Sequence, residues 1–406
     1  MPWALRMTLM LTLVGSVLHF YVWRKIANST AELSGWQKKR VGWMVALVAL
    51  WCIAYPVLGA IGYSFKFTNL LGLIQRPGGW TNILLIYPFW LGLIFAAQLA
   101  MGFLLIDFAD LFLSRIDSYR KSWMKYRVWL ALGLSCIVIV YVVVRVYRDT
   151  WTVRTRERIV EIANLPAELE NFRIIHIADL QAANETNGSK LQNYVDVVNR
   201  LKGDVIFFSG DVVTSGTEFV EAGAQAMGKM TATHGIYAVV GDHDLFGDKA
   251  LVKRKLQENG INVLDNLAAI IPVQASALSI TGVTNAYRER PSQATLATIE
   301  SQRLKGAVNI FLIHQPSPDL VDFAKSKGYD LFLAGHTHGG QIVFPLPGFL
   351  LTGSSFETPY VTGFYQVDKM LVSVNNGLGL TLAPIRYHAP AEVTLIRLKR
   401  ANDSQN

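Results

Sequence analysis

Four apolar runs crowd the first 150 residues of this 406-residue chain, at about 7–23, 41–63, 82–106 and 128–147. Each approaches or exceeds the roughly 18–20 residues that a helix needs to cross hydrocarbon. Trp and Tyr recur near their ends, where amphipathic rings favour the membrane interface. Pro56 and Pro88 fall inside two of the runs. Both are tolerable in lipid if neighbouring helices cover the carbonyls that they free. The first run is long and lacks a clear small-x-small cleavage site, so it reads as a span rather than a signal peptide. Residues 1–150 are therefore expected to form an all-α transmembrane domain of about four helices in a multi-pass integral membrane protein.

Charge is partitioned in the same way. The first 150 residues hold 15 Lys/Arg against 5 Asp/Glu, whereas the rest hold 23 against 25. The basic excess thus flanks apolar segments, which reads as a membrane signature and gives no indication of nucleic-acid binding. Loop one carries Arg24, Lys25, Lys38, Lys39 and Arg40, and loop three carries Arg115, Arg120, Lys121, Lys125 and Arg127. Loop two has only Lys66 and Arg76, and the N-terminus only Arg6. The positive-inside rule makes loops one and three cytoplasmic and puts both termini, with the polar half, outside the cytoplasm. The basic residues after the fourth run (Arg148, Arg154, Arg156, Arg158) argue the other way, but long translocated domains weigh less in that rule. Cys52 and Cys136 both lie in apolar runs, so the polar half has neither a disulfide framework nor a Cys-based metal site.

From about residue 158 to 398, short β-branched runs alternate with amphipathic stretches, the pattern of an α/β layered domain. Helices are expected near 189–202, 217–230, 248–258, 292–303 and 318–327, with Pro291 and Pro318 in first turns. Five expected strands run directly into Asp, His or Gln. Strand 172–178 leads into Asp179-Leu180-Gln181, 204–209 into Gly210-Asp211, and 236–240 into Gly241-Asp242-His243-Asp244. Strand 308–313 ends at His314, and 330–334 runs into Gly335-His336-Thr337-His338-Gly339-Gly340-Gln341. In open α/β sheets the carboxyl ends of strands are where ligands bind. Carboxylates and imidazoles delivered to one edge suit divalent borderline metals, and thiolate chemistry is absent.

At these residues the chain resembles the calcineurin-like metallophosphoesterase superfamily, in particular its membrane-anchored or exported bacterial branch with a GHTHGGQ ending. The family's ordered blocks are DxH, GDxxD, GNHD or GNHE, a lone His, and GHxH. The likeness extends over most of 158–398, through the closing NNGLGLTLAPIRYHAPAEVTLIRL. It implies a four-layer α/β/β/α sandwich with two divalent metal ions at one end. By block matching, Asp179, Gln181, Asp211 and His338 would hold the first ion. Asp211 would bridge to a second, held also by Asp242, His314 and His336. A metal-bridging hydroxide would then attack phosphorus in line. His243 would protonate the leaving alkoxide or stabilise charge on the phosphoryl group.

The chain departs from the family at three positions. Gln181 replaces a His and Asp242 an Asn, which moves the site toward oxygen ligands. Among Mn, Mg, Fe and Zn, the shift favours Mn or Mg over Zn. Thr214 stands where GDxxD ends in Asp, removing the charge that would steady an imidazolium at His243 unless Asp244 substitutes. His176 points opposite to Asp179 by strand alternation and is expected in the core or between sheets. His234, His388, Arg386 and Tyr387 are candidates to line the cleft, the last two against a substrate phosphate.

The leading expectation is a dinuclear-metal phosphoester hydrolase acting on a phosphodiester or pyrophosphate more readily than on a monoester. Tethering favours a lipid-linked or envelope-related substrate. A membrane sensor with a degenerate site is the alternative. A transporter finds little support, because the helices carry few ionisable residues beyond His19, Asp107 and Asp110. Oligomeric state is not specified by the sequence.

Overall fold

The structure, a computed structural model, describes residues 3–35, 37–67, 79–303 and 305–401. Arg76 of the second loop and the tail beyond Ala401 lie outside them. The chain divides into two compact units, Met1–Val146 and Tyr147–Asn406.

In the first unit, α1 (Trp3–Ser34) packs on α2 (Lys38–Cys52), α3 (Ala54–Ser64) and α4 (Tyr87–Leu113). Helix α5 (Asp117–Trp151) starts in this unit and ends in the second. Three helical stretches are long and apolar enough to cross a membrane: Ala4–Ser34, Asn82–Leu113 and Asp117–Trp151. They extend well beyond the apolar runs because their polar ends stay helical. The expected second span corresponds to a pair, α2 and α3, bent by 55°, which together are long and apolar enough to count as a fourth. The bend falls at Ile53, just before Pro56, whose ring excludes the carbonyl four residues back. Pro88 has a parallel effect in α4, which is preceded by a π-turn at Asn82–Ile86. The carbonyl that it frees, that of Leu84, accepts a hydrogen bond from the Trp51 indole at 2.7 Å. This is the cover from a neighbouring helix that an apolar solvent demands. Asp107 pairs with Lys25 and Asp110 with Arg127, so the two acids of α4 are ion-paired at a helix end rather than arrayed along a path.

The second unit is built on two six-stranded sheets. One runs β1 (Val153–Ile162), β14 (Ala391–Arg400), β2 (Arg173–Ile177), β3 (Val205–Phe208), β4 (Ile236–Ala238) and β5 (Ile261–Val263). The other runs β12 (Gly363–Val367), β13 (Met370–Val374), β9 (Leu331–Ala334), β8 (Val308–Ile313), β7 (Ser276–Val283) and β6 (Leu267–Val273). Strands β2 to β5 are mutually parallel, as are β7, β8, β9 and β13. Period-2 alternation sorts their side chains into layers. Ile174, Val205 and Phe207 meet Ile280, Ile310 and Leu333 of the other sheet in the central core. Ile175, Ile177, Ile206 and Phe208 face helices α6 (Ser189–Arg200), α7 (Val220–Gly228) and α9 (Lys249–Glu258), the last of which follows the short α8 (Asp242–Phe246). Phe311, Ile313 and Phe332 face α10 (Gln293–Gln302) and α11 (Pro318–Ser326). The order of layers is α/β/β/α. Helix α6 shows how the outer layer attaches, burying Leu191, Tyr194, Val195 and Val198 at helical spacing.

Pro318 opens α11 at its first turn, as expected. Pro291 does not open α10, because Ser292 takes the cap and accepts from the Thr295 N–H, leaving Pro291 outside the helix. His176 lies between the sheets, its ring nitrogens 3.2 Å from Ser373 Oγ and 2.7 Å from Ser209 Oγ. A short hairpin, β10 (Phe344–Leu346) with β11 (Phe349–Leu351), stands apart from both sheets.

Candidate metal centre

The parallel strands β2, β3, β4, β8 and β9 all deliver their carboxyl ends to one edge of the sandwich. Pairing continues past β2, where the N–H groups of Asp179 and Gln181 donate to the carbonyls of Gly210 and Asp211 at 2.9 and 3.1 Å. Asp179, Gln181, Asp211, His336 and His338 all have φ between 48° and 71°. This left-handed conformation costs an L-residue on the order of 1–2 kcal/mol. Such strain gathers where side chains must point inward from a tight turn. The backbone also has to come close: a Cβ on Gly335 would lie 2.5 Å from Asp179 Oδ2, and one on Gly377 would lie 2.6 Å from Asp179 Cβ.

Seven side chains meet there. His338 Nε2 is 3.4 Å from Asp179 Oδ1. The Gln181 amide donates to Asp211 Oδ2 at 2.9 Å. His314 Nε2 lies 3.3 Å from Asp211 Oδ2 and 3.4 Å from Asp242 Oδ2. His336 Nδ1 is 3.0 Å from Asp242 Oδ2. Two sets, Asp179–Asp211–His314 and Asp242–His314–His336, each bring three ligand atoms within 4.8 Å of one another.

The chemistry of this set fits cations. Asp179, Asp211 and Asp242 are all buried, and an unpaired buried carboxylate costs several kcal/mol. His314 donates through Nδ1 to the Ser209 carbonyl at 2.7 Å, so Nε2 is the ring nitrogen open to a metal ion once its proton leaves. Gln181 Oε1 is buried with no hydrogen-bond partner, and His314 Nε2 faces only the Asp211 and Asp242 carboxylates. Both are atoms that a metal ion would take.

Residues 172–340 match the family model described as calcineurin-like phosphoesterase. The second unit carries a calcineurin-like metallophosphoesterase domain. An uncharacterized metallophosphoesterase of Bacillus subtilis, YkuE, is 28% identical over 263 residues, covering 63% of this chain and 89% of that protein. A transmembrane protein with metallophosphoesterase domain from Danio rerio is 27% identical over 337 residues, covering 77% and 75%. An uncharacterized metallophosphoesterase of Helicobacter pylori is 26% identical over 293 residues, covering 71% and 75%. These relatives include bacteria and an animal, so they do not single out one branch.

Within the metallophosphoesterase domain, protons stand where metal charge would. Burial opposes a charge on His314, but Asp211 and Asp242 outweigh it and hold its pKa well above the usual value. Burial likewise opposes a proton on His336, yet hydrogen bonds to Asp242 and Glu357 raise its pKa to about 9. Burial disfavours the charged form of Asp242 too, and the two imidazoles override it, so the carboxyl stays ionised. Burial, reinforced by Asp211, lifts Asp179 to about 7. Burial and the Arg386 cation keep His338 neutral. Metal must therefore displace protons from His314 and His336 at neutral pH. Mn²⁺ affinity is expected to rise from pH 6 to about pH 9, with roughly two protons released per chain at pH 7. Calorimetry in buffers of different ionisation enthalpy reads both quantities, and a pH-independent affinity would contradict this electrostatic picture.

His243 is half-buried beside these residues. Its N–H bonds Asp211 Oδ1 at 2.8 Å, and its Nδ1 donates to the Thr214 carbonyl. The orienting group is thus a backbone oxygen, while the Thr214 hydroxyl bonds the Gln181 carbonyl at 3.2 Å. Asp244 does not substitute for the missing carboxylate. It accepts from the N–H groups of Asp211, Val212 and Gly241 at 2.9 to 3.0 Å and so shapes the turn that carries Asp211.

Arg386 is not positioned to meet substrate. It is fully buried and donates to the carbonyls of His338, Ala389, Gly377 and Gly379 at 2.6 to 3.1 Å. Tyr387 is buried beneath the start of the hairpin, and its carbonyl accepts the Val343 N–H at 2.9 Å. His234 precedes β4, at the end of the strand opposite the site.

Three further residues belong to the centre that strand-end reasoning did not reach. Gln315 Nε2 donates to Asp242 Oδ2 at 2.7 Å, and the Tyr287 N–H donates to Asp242 Oδ1 at 2.6 Å. Glu357 lies 3.1 Å from His336 Nε2, the arrangement that orients a metal-binding imidazole. Gln315 follows His314 directly and was within reach of the sequence pattern. Tyr287 and Glu357 lie in loops with no signal of their own.

Proposed function

We propose that this protein is a membrane-anchored, dinuclear-metal phosphoester hydrolase. The observation that carries the proposal is the convergence of seven ligand-type side chains on a buried edge where Gln181 Oε1 lacks a partner and His314 Nε2 meets only carboxylates. Asp179, Gln181, Asp211 and His338 would hold one ion, and Asp211, Asp242, His314 and His336 the other. Two divalent ions supply an activated water and clamp the attacking and leaving oxygens. Gln181 and Asp242 tilt the set toward oxygen, which favours Mn²⁺. His243, its Nδ1 proton held by the Thr214 carbonyl, keeps Nε2 near Thr381 Oγ1 and is placed to hand a proton to the leaving alkoxide. Glu357 and Gln315 hold His336 and Asp242 in register.

A site with three buried carboxylates repels a dianionic monoester more than a monoanionic diester, which favours phosphodiesters. Purified full-length protein with Mn²⁺ is expected to hydrolyse bis(p-nitrophenyl) phosphate, to stop on chelation and to recover when Mn²⁺ is returned. Metal binding without turnover would favour the sensor reading, for which the departures at Gln181, Asp242 and Thr214 speak. We also place the domain outside the cytoplasm, because the basic loops one and three follow the helix ends that the Asp107–Lys25 and Asp110–Arg127 pairs draw together. A reporter fused after residue 406 tests that orientation.

A further inference from the structure

The rim of the metal centre is unusually apolar. Phe246 is exposed and packs edge-on against His243, with ring centroids 6.0 Å apart. Tyr287 is exposed and meets His336 in the same way at 5.4 Å. Phe356, 86% exposed, directly precedes Glu357, the partner of His336. The β10–β11 hairpin adds exposed Phe349 and Leu351. This edge is tied to the site loop: Thr352 Oγ1 donates to the Gly340 carbonyl at 2.7 Å, and Ser354 Oγ donates to that of Thr337 at 3.1 Å. Arg288 and Arg290 are exposed beside Tyr287, and the Arg288 guanidinium lies 4.7 Å from the Phe246 ring centroid.

A second observation bears on what this rim meets. Within the second unit, the last turn of α5 is bonded into the same region. The Arg386 N–H donates to Thr150 Oγ1 at 2.9 Å, and the His388 N–H donates to Asp149 Oδ2 at 2.6 Å. Tyr387, between them, bridges to Ile342 at the root of the hairpin. Helix α5 is one of the stretches apolar enough to cross a membrane. Residues 147–151, which follow this apolar stretch and belong to the second unit, therefore end on the loop from which the hairpin and the Arg386–His338 contact both start. Exposed Phe and Leu flanked by Arg are the side chains that enter an anionic bilayer interface.

We propose that the β10–β11 hairpin and Phe356 sit in the bilayer interface, and that the centre takes a lipid phosphodiester whose acyl chains remain in the membrane. This names the substrate class for the hydrolase reading above and rests on it. In the reaction, water oxygen bonds to phosphorus, one P–O ester bond breaks, and the released alcohol leaves with a proton.

The test uses the full chain in nanodiscs of phosphatidylcholine and phosphatidylglycerol. Spin labels are placed at Phe349→Cys and Phe356→Cys in a Cys52→Ser, Cys136→Ser background. Bis(p-nitrophenyl) phosphate serves as the soluble substrate and p-nitrophenyl hexadecyl phosphate as the membrane-held one. The labels are expected to be relaxed by oxygen and shielded from an aqueous nickel chelate. The variant Phe349→Ser, Leu351→Ser, Phe356→Ser should lose ~10-fold or more on the hexadecyl substrate and stay within about twofold on the soluble one. Labels open to the nickel chelate, or buried against protein and reached by neither agent, overturn the docking. Equal loss on both substrates overturns the lipid specificity and leaves the hydrolase standing. Failure of the parent chain on the soluble substrate sinks the hydrolase reading, while the labels still decide the docking.

Discussion

Asp211→Asn is expected to cut hydrolysis of an aryl phosphodiester by about a thousandfold, or roughly 4 kcal/mol of transition-state stabilisation. Asp211 is the carboxylate most central to the cluster. Its Oδ2 lies 2.9 Å from the Gln181 amide and 3.3 Å from His314, and its Oδ1 takes the His243 N–H. An amide in that place keeps the shape and the His243 contact, but loses the charge that two ions would share. Metal content measured on the same sample should fall together with the rate. Turnover within tenfold of the parent would mean that Asp211 does not bridge.

Arg386→Ala should be the most damaging substitution for stability, by about 4 kcal/mol, because four buried carbonyls lose a charged donor at once. Burial lowers the guanidinium pKa to about 10, so it remains charged at neutral pH. For a domain of this size such a loss lowers Tm by about 10 °C. Differential scanning calorimetry of the purified full chain measures it. A shift of only a degree or two would show that the Gly377–Gly379 loop finds other partners. Arg386 also bonds the His338 carbonyl, so activity should fall at temperatures well below the new transition.

These two residues show how differently the sequence exposes its roles. Asp211 follows a buried β-branched strand and a glycine, a local pattern that points to a strand-end ligand. Arg386 sits in a Pro-Ile-Arg-Tyr-His stretch, where a basic residue near the family-like ending suggested a phosphate contact. Its partners are glycine carbonyls seven and nine residues upstream and the backbone of His338, and only the folded chain brings them together. The α/β alternation and the outer helices were legible because apolar periodicity follows directly from burial. Strand β6 was not, since Leu267–Val273 contains two alanines and Pro272 and lies at a sheet edge, where proline is tolerated. The alternating pattern was read as starting near 158, inside β1, because the first half of that strand is exposed and rich in arginine. In the membrane half, Pro56 was read as tolerable within one span, yet the helix breaks at Ile53. Glu357 and Tyr287 could not have been found, because loop residues carry no period.

The role of Thr214 changes most between sequence and structure. Loss of the usual carboxylate suggested a weakened acid at His243. A backbone carbonyl instead fixes the imidazole, and no substitution at residue 214 removes that oxygen. The carbonyl orients His243 without supplying a charge, so the departures that favour a degenerate site are that missing charge together with Gln181 and Asp242, both competent oxygen donors.

The most direct test of a two-metal hydrolase is a titration of metal-free, full-length protein with Mn²⁺, reading bound metal and phosphodiester hydrolysis together. Hydrolysis is expected to climb with occupancy and to saturate at about two ions per chain. Saturation at one ion, or two ions bound with no hydrolysis, would contradict it.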